Sequence, residues 1–306
     1  MEYNIEFKCQ GDNLEIIPDS ITNNTGITFP RAHTENALMC LLAKELKNYK
    51  KDSICRVPFC VTVEAEALGG NIKLGDMKIG PRVDQYAFAT IEELENIKNI
   101  DFNSGRIKEV LEAVEKLSNE GECVTLSVEG PFTILSSIID PMVFYKGIRK
   151  NKEKIDEFLK VLEDNIVSYI IEGIKKGAKI ISYGDPVGSL DIVGPKVYQE
   201  YSGKISYNIL KRVEPYLKNS VIHLCGKTST AFEKFNLSVS KAIEFEQEIT
   251  YGDAINRILQ ERKDVKFIGN SCIKRTPFIM KNPVVWEIEL IKGARHVTSD
   301  KICFEG

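Results

Sequence analysis

Short apolar runs rich in β-branched residues alternate with longer amphipathic stretches along most of this chain. Seven of the runs are predicted to be strands, at residues 56–63, 123–128, 179–183, 220–224, 241–245, 266–269 and 296–302. An eighth strand near residues 71–79 is an open alternative. Strands that alternate with helices form parallel sheets, so the pattern predicts an α/β fold.

The clearest helical period lies at residues 155–174. Its apolar side chains, among them Phe158, Leu162 and Ile166, recur at spacings of three and four residues, and Gly177 follows the last of them. A helix with one apolar stripe needs a partner surface that buries the stripe. The pattern therefore predicts a long helix packed against the sheet.

Seven or eight β–α units fit a (β/α)₈ TIM barrel better than an open doubly wound sheet. The barrel is predicted to be a single domain over residues 1–306, with residues 1–52 as an N-terminal extension packed on it. In such a barrel the chemistry lies where the strands end and the following loops begin. The candidate residues therefore lie at the carboxyl ends of the predicted strands.

Composition removes several classes of function. The 306 residues carry a net charge of -3 with a pI of about 5.9, which gives no sign of a nucleic acid or anionic membrane partner. No apolar run is long enough to span a membrane, and residues 1–10 lack a signal-peptide pattern. With eight scattered cysteines, these features predict a protein of the reducing cytoplasm.

His223 and Cys225 form the strongest local signal for chemistry. Side chains two residues apart on a strand point to the same face, here the barrel interior at its catalytic end. Imidazole and thiolate are preferred zinc ligands, and a catalytic zinc site needs a third protein ligand. Cys303, which ends the last predicted strand, is the favoured third ligand, and Cys272 is the alternative. Glu246 is expected to occupy the fourth position until a substrate displaces it.

A purely structural interpretation of the same pair stays open. Cysteine is among the most buried residue types, so a His-x-Cys pair on a strand can belong to the core. The presence of a third soft ligand decides between the two interpretations. Three such residues at the ends of predicted strands bring the metal-binding interpretation level with the structural one.

Two carboxylates are candidates for binding or proton transfer. Asp185 follows an apolar strand and is expected to project into the barrel mouth as a general acid or an orienting group. A cap on its own loop is the alternative role. Glu64, which shares a face of the first predicted strand with Glu66, is the second candidate, and its alternative place is a solvent-facing sheet edge.

Six segments carry a family resemblance, and they follow one another in the expected order along nearly the whole chain. The segments are Phe29-Pro30-Arg31-Ala32-His33-Thr34, residues 57–69, Glu129-Gly130-Pro131-Phe132-Thr133, Gly184-Asp185-Pro186, Gly194-Pro195-Lys196 and His223-Leu224-Cys225-Gly226-Lys227-Thr228. Together they resemble the uroporphyrinogen decarboxylase superfamily. More narrowly, they resemble its zinc-dependent corrinoid methyltransferase branch, which includes the methylcobamide:coenzyme M methyltransferases.

The resemblance implies a (β/α)₈ barrel in which a His-x-Cys pair and a later Cys hold zinc. Carried onto this sequence, the ligands are His223, Cys225 and Cys303. The branch places its later Cys before a Thr-Pro element and a closing helix. Here Cys303 is followed by only three residues, whereas Thr276-Pro277 follows Cys272. Cys272 therefore stays the alternative ligand, and the last helix of the barrel is expected to be missing.

Decarboxylation is disfavoured by the residues after the first strand. The decarboxylases of the superfamily place closely spaced arginines there, which suit a substrate with several carboxylates. This chain has Val61-Thr62-Val63-Glu64-Ala65-Glu66 instead. Acidic residues would repel such a substrate.

The resemblance implies a zinc-dependent methyltransferase of one-carbon metabolism, moving a methyl group between a corrinoid and a thiol or similar small-molecule acceptor. Zinc would lower the pKa of the acceptor thiol, and Asp185 with Glu64 would orient the acceptor or take its proton. The chain lacks an Asp-x-His-x-x-Gly corrinoid-binding motif, so the corrinoid is expected on a partner protein. Two alternatives are a demethylase that feeds a corrinoid protein and a tetrapyrrole-binding protein without zinc catalysis.

Overall fold

The computed structural model describes residues 15–291 of the chain. The helices in this range are α1 Asp19–Thr25, α2 Asn36–Lys50, α3 Val63–Ala67, α4 Gly105–Asn119, α5 Pro131–Ile138, α6 Pro141–Lys150, α7 Lys152–Lys175, α8 Leu190–Val197, α9 Gly203–Val213, α10 Gly226–Lys234 and α11 Tyr251–Glu261. The strands are β1 Cys55–Val57, β2 Asn71–Lys73, β3 Arg82–Gln85, β4 Val124–Glu129, β5 Ile180–Gly184, β6 Val221–Cys225, β7 Ser238–Glu244, β8 Ile249–Thr250, β9 Phe267–Ser271, β10 Ile279–Met280 and β11 Val284–Leu290. None of the described helices is long and apolar enough to cross a membrane.

A seven-stranded sheet in the order β1-β4-β5-β6-β9-β11-β7 forms the centre of the fold. The first five of these strands run parallel, and β11 runs antiparallel to both of its neighbours. The pairing sets Glu129 beside Gly184 and Ser182 beside His223. The carboxyl ends of β4, β5 and β6 therefore meet at one edge of the sheet.

The predicted α/β architecture with a parallel central sheet is confirmed, although several strand assignments change. The first strand ends at Val57, short of its predicted end at Val63, and α3 begins at Val63 with the sequence Val-Glu-Ala-Glu-Ala, which includes good helix formers. The open alternative at 71–79 is wrong as a strand of the central sheet, because β2 pairs only with β3. Strand β11 was not predicted, and the predicted strand at 296–302 lies outside the described residues.

Closure into an eight-stranded barrel is not seen within residues 15–291. The hydrogen-bonded order begins at β1 and ends at β7, and the described strands include no pair that joins these two edges. The antiparallel strand β11 separates β9 from β7, so the predicted strand order around a barrel does not apply on this side of the sheet.

One face of the sheet packs against the helical layer. Phe158, Leu162 and Ile166 of α7 are buried in the same hydrophobic cluster as Leu126 of β4. A Cβ atom on Gly173 of α7 would lie 2.3 Å from Cδ2 of Leu126, so glycine allows the helix to approach the strand closely. The predicted long helix and its buried stripe are therefore both present.

Helix α11 packs on the opposite face of the sheet. Its Tyr251, Ala254, Ile255 and Ile258 form a second buried cluster with Ile180, Val221, Ile268 and Val285 of four strands. Because side chains alternate along a strand, His223 lies on the same face as Val221, while Ile222 and Leu224 join the helical layer. The His-x-Cys pair therefore faces α11 and not the outer helices.

Candidate functional site

The carboxyl ends of β4, β5 and β6 border a cavity of about 160 Å³. The strand residues that line it are Ser127, Glu129, Ser182, Tyr183, Gly184, His223 and Cys225. Cys272, in the loop after β9, and Cys60, after β1, lie on other walls of the same cavity. This set of thiols, carboxyl and imidazole at strand ends makes the cavity the candidate site.

His223 and Cys225 both line the cavity, as their spacing predicts. The His223 ring is fully buried, and its Nε2 lies 3.0 Å from the hydroxyl oxygen of Tyr251. Its Nδ1 is buried without a hydrogen-bond partner. Burial lowers the pKa of His223 to about 4, so the ring is neutral near pH 7. A neutral imidazole with an available nitrogen is the form that binds a metal ion.

The donor set fits part of the zinc site that the resemblance implies. His223 and Cys225 supply a nitrogen and a sulfur, the two atom types that zinc prefers. Within residues 15–291, no group of three His, Cys, Asp or Glu side chains is close enough to hold a metal ion. Cys272 borders the cavity without completing such a group, and the predicted ligand Cys303 lies outside the described residues.

Glu64 lies in α3, and the prediction that it belongs to the first strand is wrong. Its side chain is buried, and its Oε1 accepts a hydrogen bond of 2.9 Å from the backbone N–H of Glu129. Burial raises the pKa of Glu64 to about 7, although that hydrogen bond opposes the shift. Glu64 is therefore a buried carboxyl that can titrate near neutral pH.

Of Glu64, Glu129 and Asp185, Glu129 is the carboxyl that lines the cavity, and it was not among the predicted site residues. It keeps some surface toward the cavity, while protein atoms surround the rest of its side chain. Burial raises its pKa well above the usual value, and the charges of Glu64 and Asp185 raise it further. Nearby negative charge favours the protonated carboxyl. The two carboxyls that act on Glu129 lie in α3 and in the loop after β5. The residues next to Glu129 in the sequence therefore do not reveal its raised pKa.

Asp185 is held by four hydrogen bonds. It accepts from the backbone N–H groups of Phe132, Thr133 and Gly188 and from the Thr133 hydroxyl, at 2.7 to 3.3 Å. Burial nevertheless raises its pKa. A Cβ on Gly130 would lie 2.4 Å from that of Asp185, so the carboxylate fits tightly against the start of α5. This arrangement matches the capping alternative, with a neighbouring helix as the capped element.

Glu246 lies away from the His-x-Cys pair. Its side chain is exposed and borders a separate surface groove with Arg257 and Glu261. The predicted proximity assumed that the strand carrying Glu246 follows β6 in the sheet. In the structure β9 and β11 lie between β6 and β7, so Glu246 is three strands away.

Tyr251 and Arg106 contribute contacts that were not predicted from the sequence. Buried Arg106 in α4 donates to Sγ of Cys60 at 3.2 Å and to Oγ1 of Thr62 at 2.8 Å, and it pairs with Glu66. It therefore fixes the segment between β1 and α3 beside the cavity. No sequence pattern reveals these contacts, because the partners are 28 or more residues apart.

A family comparison supports the resemblance expected from the residues. The family model described as uroporphyrinogen decarboxylase (URO-D) matches residues 14–271. The match includes His223, Cys225 and all three clustered carboxyls. Both candidates for the third thiolate, Cys272 and Cys303, lie beyond its end.

Several curated relatives are methyltransferases from methanogens. The methylcobamide:CoM methyltransferase MtbA of Methanosarcina acetivorans is 27% identical over 249 residues, which are 80% of this chain and 72% of that protein. The corresponding MtaA of Methanosarcina barkeri is 25% identical over 82% of this chain and 73% of its own length. A methylated-thiol:coenzyme M methyltransferase of Methanosarcina mazei is 23% identical over 66% of this chain and 54% of its own length.

A solved structure of a methyltransferase from Methanosarcina mazei matches with a TM-score of 0.61 and 24% sequence identity. The match covers 69% of this chain and 64% of the other, so this chain spans less than two thirds of that protein. At this identity the likeness shows a shared fold.

Proposed function

The chain belongs to the uroporphyrinogen decarboxylase family, and we propose that it is a methyltransferase that moves a methyl group between a corrinoid and a small thiol. The observation that carries this proposal is the buried, unpaired Nδ1 of His223 beside Cys225 in a cavity at the strand ends. The relatives that transfer methyl groups between methylcobamide and CoM, by their names, support the class of reaction.

Zinc is the metal that we propose for this cavity. His223 and Cys225 would hold it, with Cys303 as the third ligand and Cys272 as its alternative. Bound zinc would lower the pKa of an acceptor thiol, so that the thiolate forms near neutral pH. The neutral state of His223 favours this role, because a protonated imidazole has no lone pair for a metal.

The carboxyl cluster provides a place for the proton that a thiol loses when it accepts a methyl group. We propose that Glu64 and Glu129 handle this proton as a pair, since burial brings the pKa of Glu64 to about 7 and Glu129 faces the cavity. Asp185 acts through this pair: its charge raises the pKa of Glu129, and its hydrogen bonds hold α5 beside β5.

Basic residues of the cavity lining suit an acceptor with a negative group. Lys50, Arg56 and Lys274 belong to this lining together with the acidic Glu15 and Asp52, and Glu15 forms ion pairs with Lys50 and Arg56. Burial and the charge of Arg56 lower the pKa of Lys50 to about 8. An anionic group on the acceptor would relieve that repulsion. Coenzyme M, named in the relatives, is one anionic thiol.

A corrinoid protein would present its methyl group at the cavity mouth. The cytoplasm is the proposed location. We retain a closed barrel over residues 1–306, with 1–52 as an extension, as the proposed architecture of the whole chain, and the antiparallel β11 is its departure from the all-parallel (β/α)₈ order. In the described part, α2 packs on β1 and α4.

The test uses the purified protein, methylcobalamin and coenzyme M. We expect about one zinc ion per chain and formation of the methyl thioether, with loss of methylcobalamin absorbance. A chelator should abolish both, and added zinc should restore them. Protein that retains zinc but methylates none of a series of neutral and anionic thiols would contradict the proposal.

Demethylation of a methylated thiol is the second candidate. The relative named methylated-thiol:coenzyme M methyltransferase favours it, because its name describes a thioether as the methyl donor. A carboxyl pair that holds a proton can return it to the thiolate that leaves. Incubation with cob(I)alamin and a methyl thioether separates the two directions, since only the second candidate forms methylcobalamin in this assay.

A further inference from the structure

The two nitrogens of the His223 ring differ in their surroundings. Nε2 lies 3.0 Å from the hydroxyl oxygen of Tyr251, and the rings meet edge to face with centroids 5.8 Å apart. Nδ1 is equally buried and has no hydrogen-bond partner. A buried polar atom without a partner is costly, and binding a ligand is one way to satisfy it.

Tyr251 is held firmly in place. It is the first residue of α11, its backbone N–H donates to the Phe278 carbonyl at 3.0 Å, and Gly252 donates to Thr276 at 2.9 Å. Its ring is buried in the cluster that contains Ile180 and Val221. The hydroxyl oxygen therefore stays at a fixed position relative to β6.

The Tyr251 hydroxyl has a second partner. The side chain of Ser271 also hydrogen-bonds to it. Ser271 ends β9 and pairs in register with Cys225. Because its hydroxyl has two partners, Tyr251 can accept the N–H of Nε2 while its own proton goes to Ser271. These contacts therefore connect the two proposed metal ligands: Ser271 lies beside Cys225, and Tyr251 contacts His223.

We propose that Tyr251 is a positioning residue that occupies Nε2 of His223, so that Nδ1 is the nitrogen offered to the metal. The proposal rests on the zinc-dependent function proposed above. A metal-binding histidine commonly donates its other N–H to an outer partner, which sets the ring orientation and the tautomer. Here that partner is a phenol on α11.

The tautomer can be measured on the unmodified protein. The chain has three histidines, so ¹⁵N NMR of labelled imidazoles can assign His223 by its loss in His223→Gln. Addition of zinc should shift Nδ1 and leave Nε2 protonated. A zinc-dependent shift of Nε2, with Nδ1 protonated, would overturn the proposal without touching the zinc-dependent function.

Tyr251→Phe removes the hydroxyl and keeps the ring. We expect the zinc Kd, measured by competition with a chromophoric chelator, to rise about 10–100-fold at an unchanged stoichiometry. Tyr207→Phe is the matched control, because it also removes a tyrosine hydroxyl that is hydrogen-bonded, here donating to the Ile291 carbonyl at 2.6 Å, and Tyr207 does not line the cavity. Its zinc Kd should stay within about twofold of the wild-type value, as expected for a partner that no metal ligand contacts.

The outcomes separate the two proposals. Wild-type protein that binds zinc while Tyr251→Phe binds it equally well overturns the role of Tyr251 alone. Wild-type protein that binds no zinc overturns the zinc-dependent function and this inference together. If Tyr251→Phe does not fold, the NMR measurement on the wild-type protein decides whether Nδ1 or Nε2 binds the metal.

Discussion

The two sides of the cavity treat their buried polar groups differently. On the β4–β5 side, four donors surround Asp185, and Glu64 accepts a backbone N–H. On the β6 side, His223 keeps one ring nitrogen without a partner, although the ring is fully buried. Local hydrogen bonding therefore distinguishes a carboxylate with four donors from an imidazole whose Nδ1 has no partner.

The hydrogen bonding of a side chain indicates its role better than its position at a strand end does. Asp185 and His223 are both buried and both lie at the same edge of the sheet. Only the hydrogen-bond partners distinguish them. The comparison predicts that substitutions on the β6 side weaken zinc binding, whereas substitutions of Asp185 lower the free energy of unfolding.

The largest expected effect belongs to Cys225. Cys225→Ser should raise the zinc Kd at least about 1,000-fold, because the loss of an outer partner alone costs about 10–100-fold and this change replaces a direct thiolate ligand. Metal analysis and chelator competition measure it. Cys123→Ser, at a half-buried cysteine away from the cavity lining, should bind zinc normally. Equal zinc affinity in both variants would show that Cys225 is not a zinc ligand.

Asp185→Ala should lower the free energy of unfolding by about 3 kcal/mol, since it leaves three buried N–H groups and a hydroxyl without their acceptor. Urea unfolding measures the loss. Asp191→Ala, at an exposed side chain in α8, is the control and should change stability by less than about 0.5 kcal/mol. A stable Asp185→Ala protein that has lost activity would assign Asp185 to the chemistry instead.

Glu129→Gln should lower kcat/KM for methyl transfer to a thiol about 100-fold near pH 7, with zinc affinity unchanged. The amide keeps the shape of the side chain but cannot exchange the proton, and positioned acids and bases contribute about this much. Glu120→Gln, on the protein surface, is the control. Full activity of Glu129→Gln at all pH values would remove the carboxyl pair from the mechanism.

The smallest effect is on the pH dependence of stability. The pKa of Glu64 is raised to about 7, from roughly 4.3 in an unfolded chain, so its contribution is complete below that lower value and is lost as the pH rises through 7. The lowered pKa of His223, about 4, acts in the opposite direction, because its contribution is lost as the pH falls. Glu64→Gln should therefore lose less stability than wild type between about pH 5 and pH 8, by roughly 1–2 kcal/mol. Parallel stability curves for the two proteins would contradict this account.

Individual residues show which local structure could be predicted from the sequence. The His-x-Cys pair could be placed on one face because side chains alternate with a period of two along a strand, and β6 has that period. Apolar and polar residues also alternate at 61–66, which predicts a strand for Glu64, yet α3 begins at Val63. Short segments of five residues do not distinguish the two periods.

The sequence alone determined the parallel α/β pattern, the buried stripe of α7, the His-x-Cys pair and the family, because periodicity and local motifs are properties of neighbouring residues. Only the tertiary structure decided which residues surround them. Strand β11 lies between β9 and β7, so Glu246 is far from the His-x-Cys pair. Glu129 lies close enough to Glu64 and Asp185 for their charges to raise its pKa. The tertiary structure also places Tyr251 against His223. Contacts between residues far apart in the chain arise from packing the sheet and its helices together, and no local pattern encodes them.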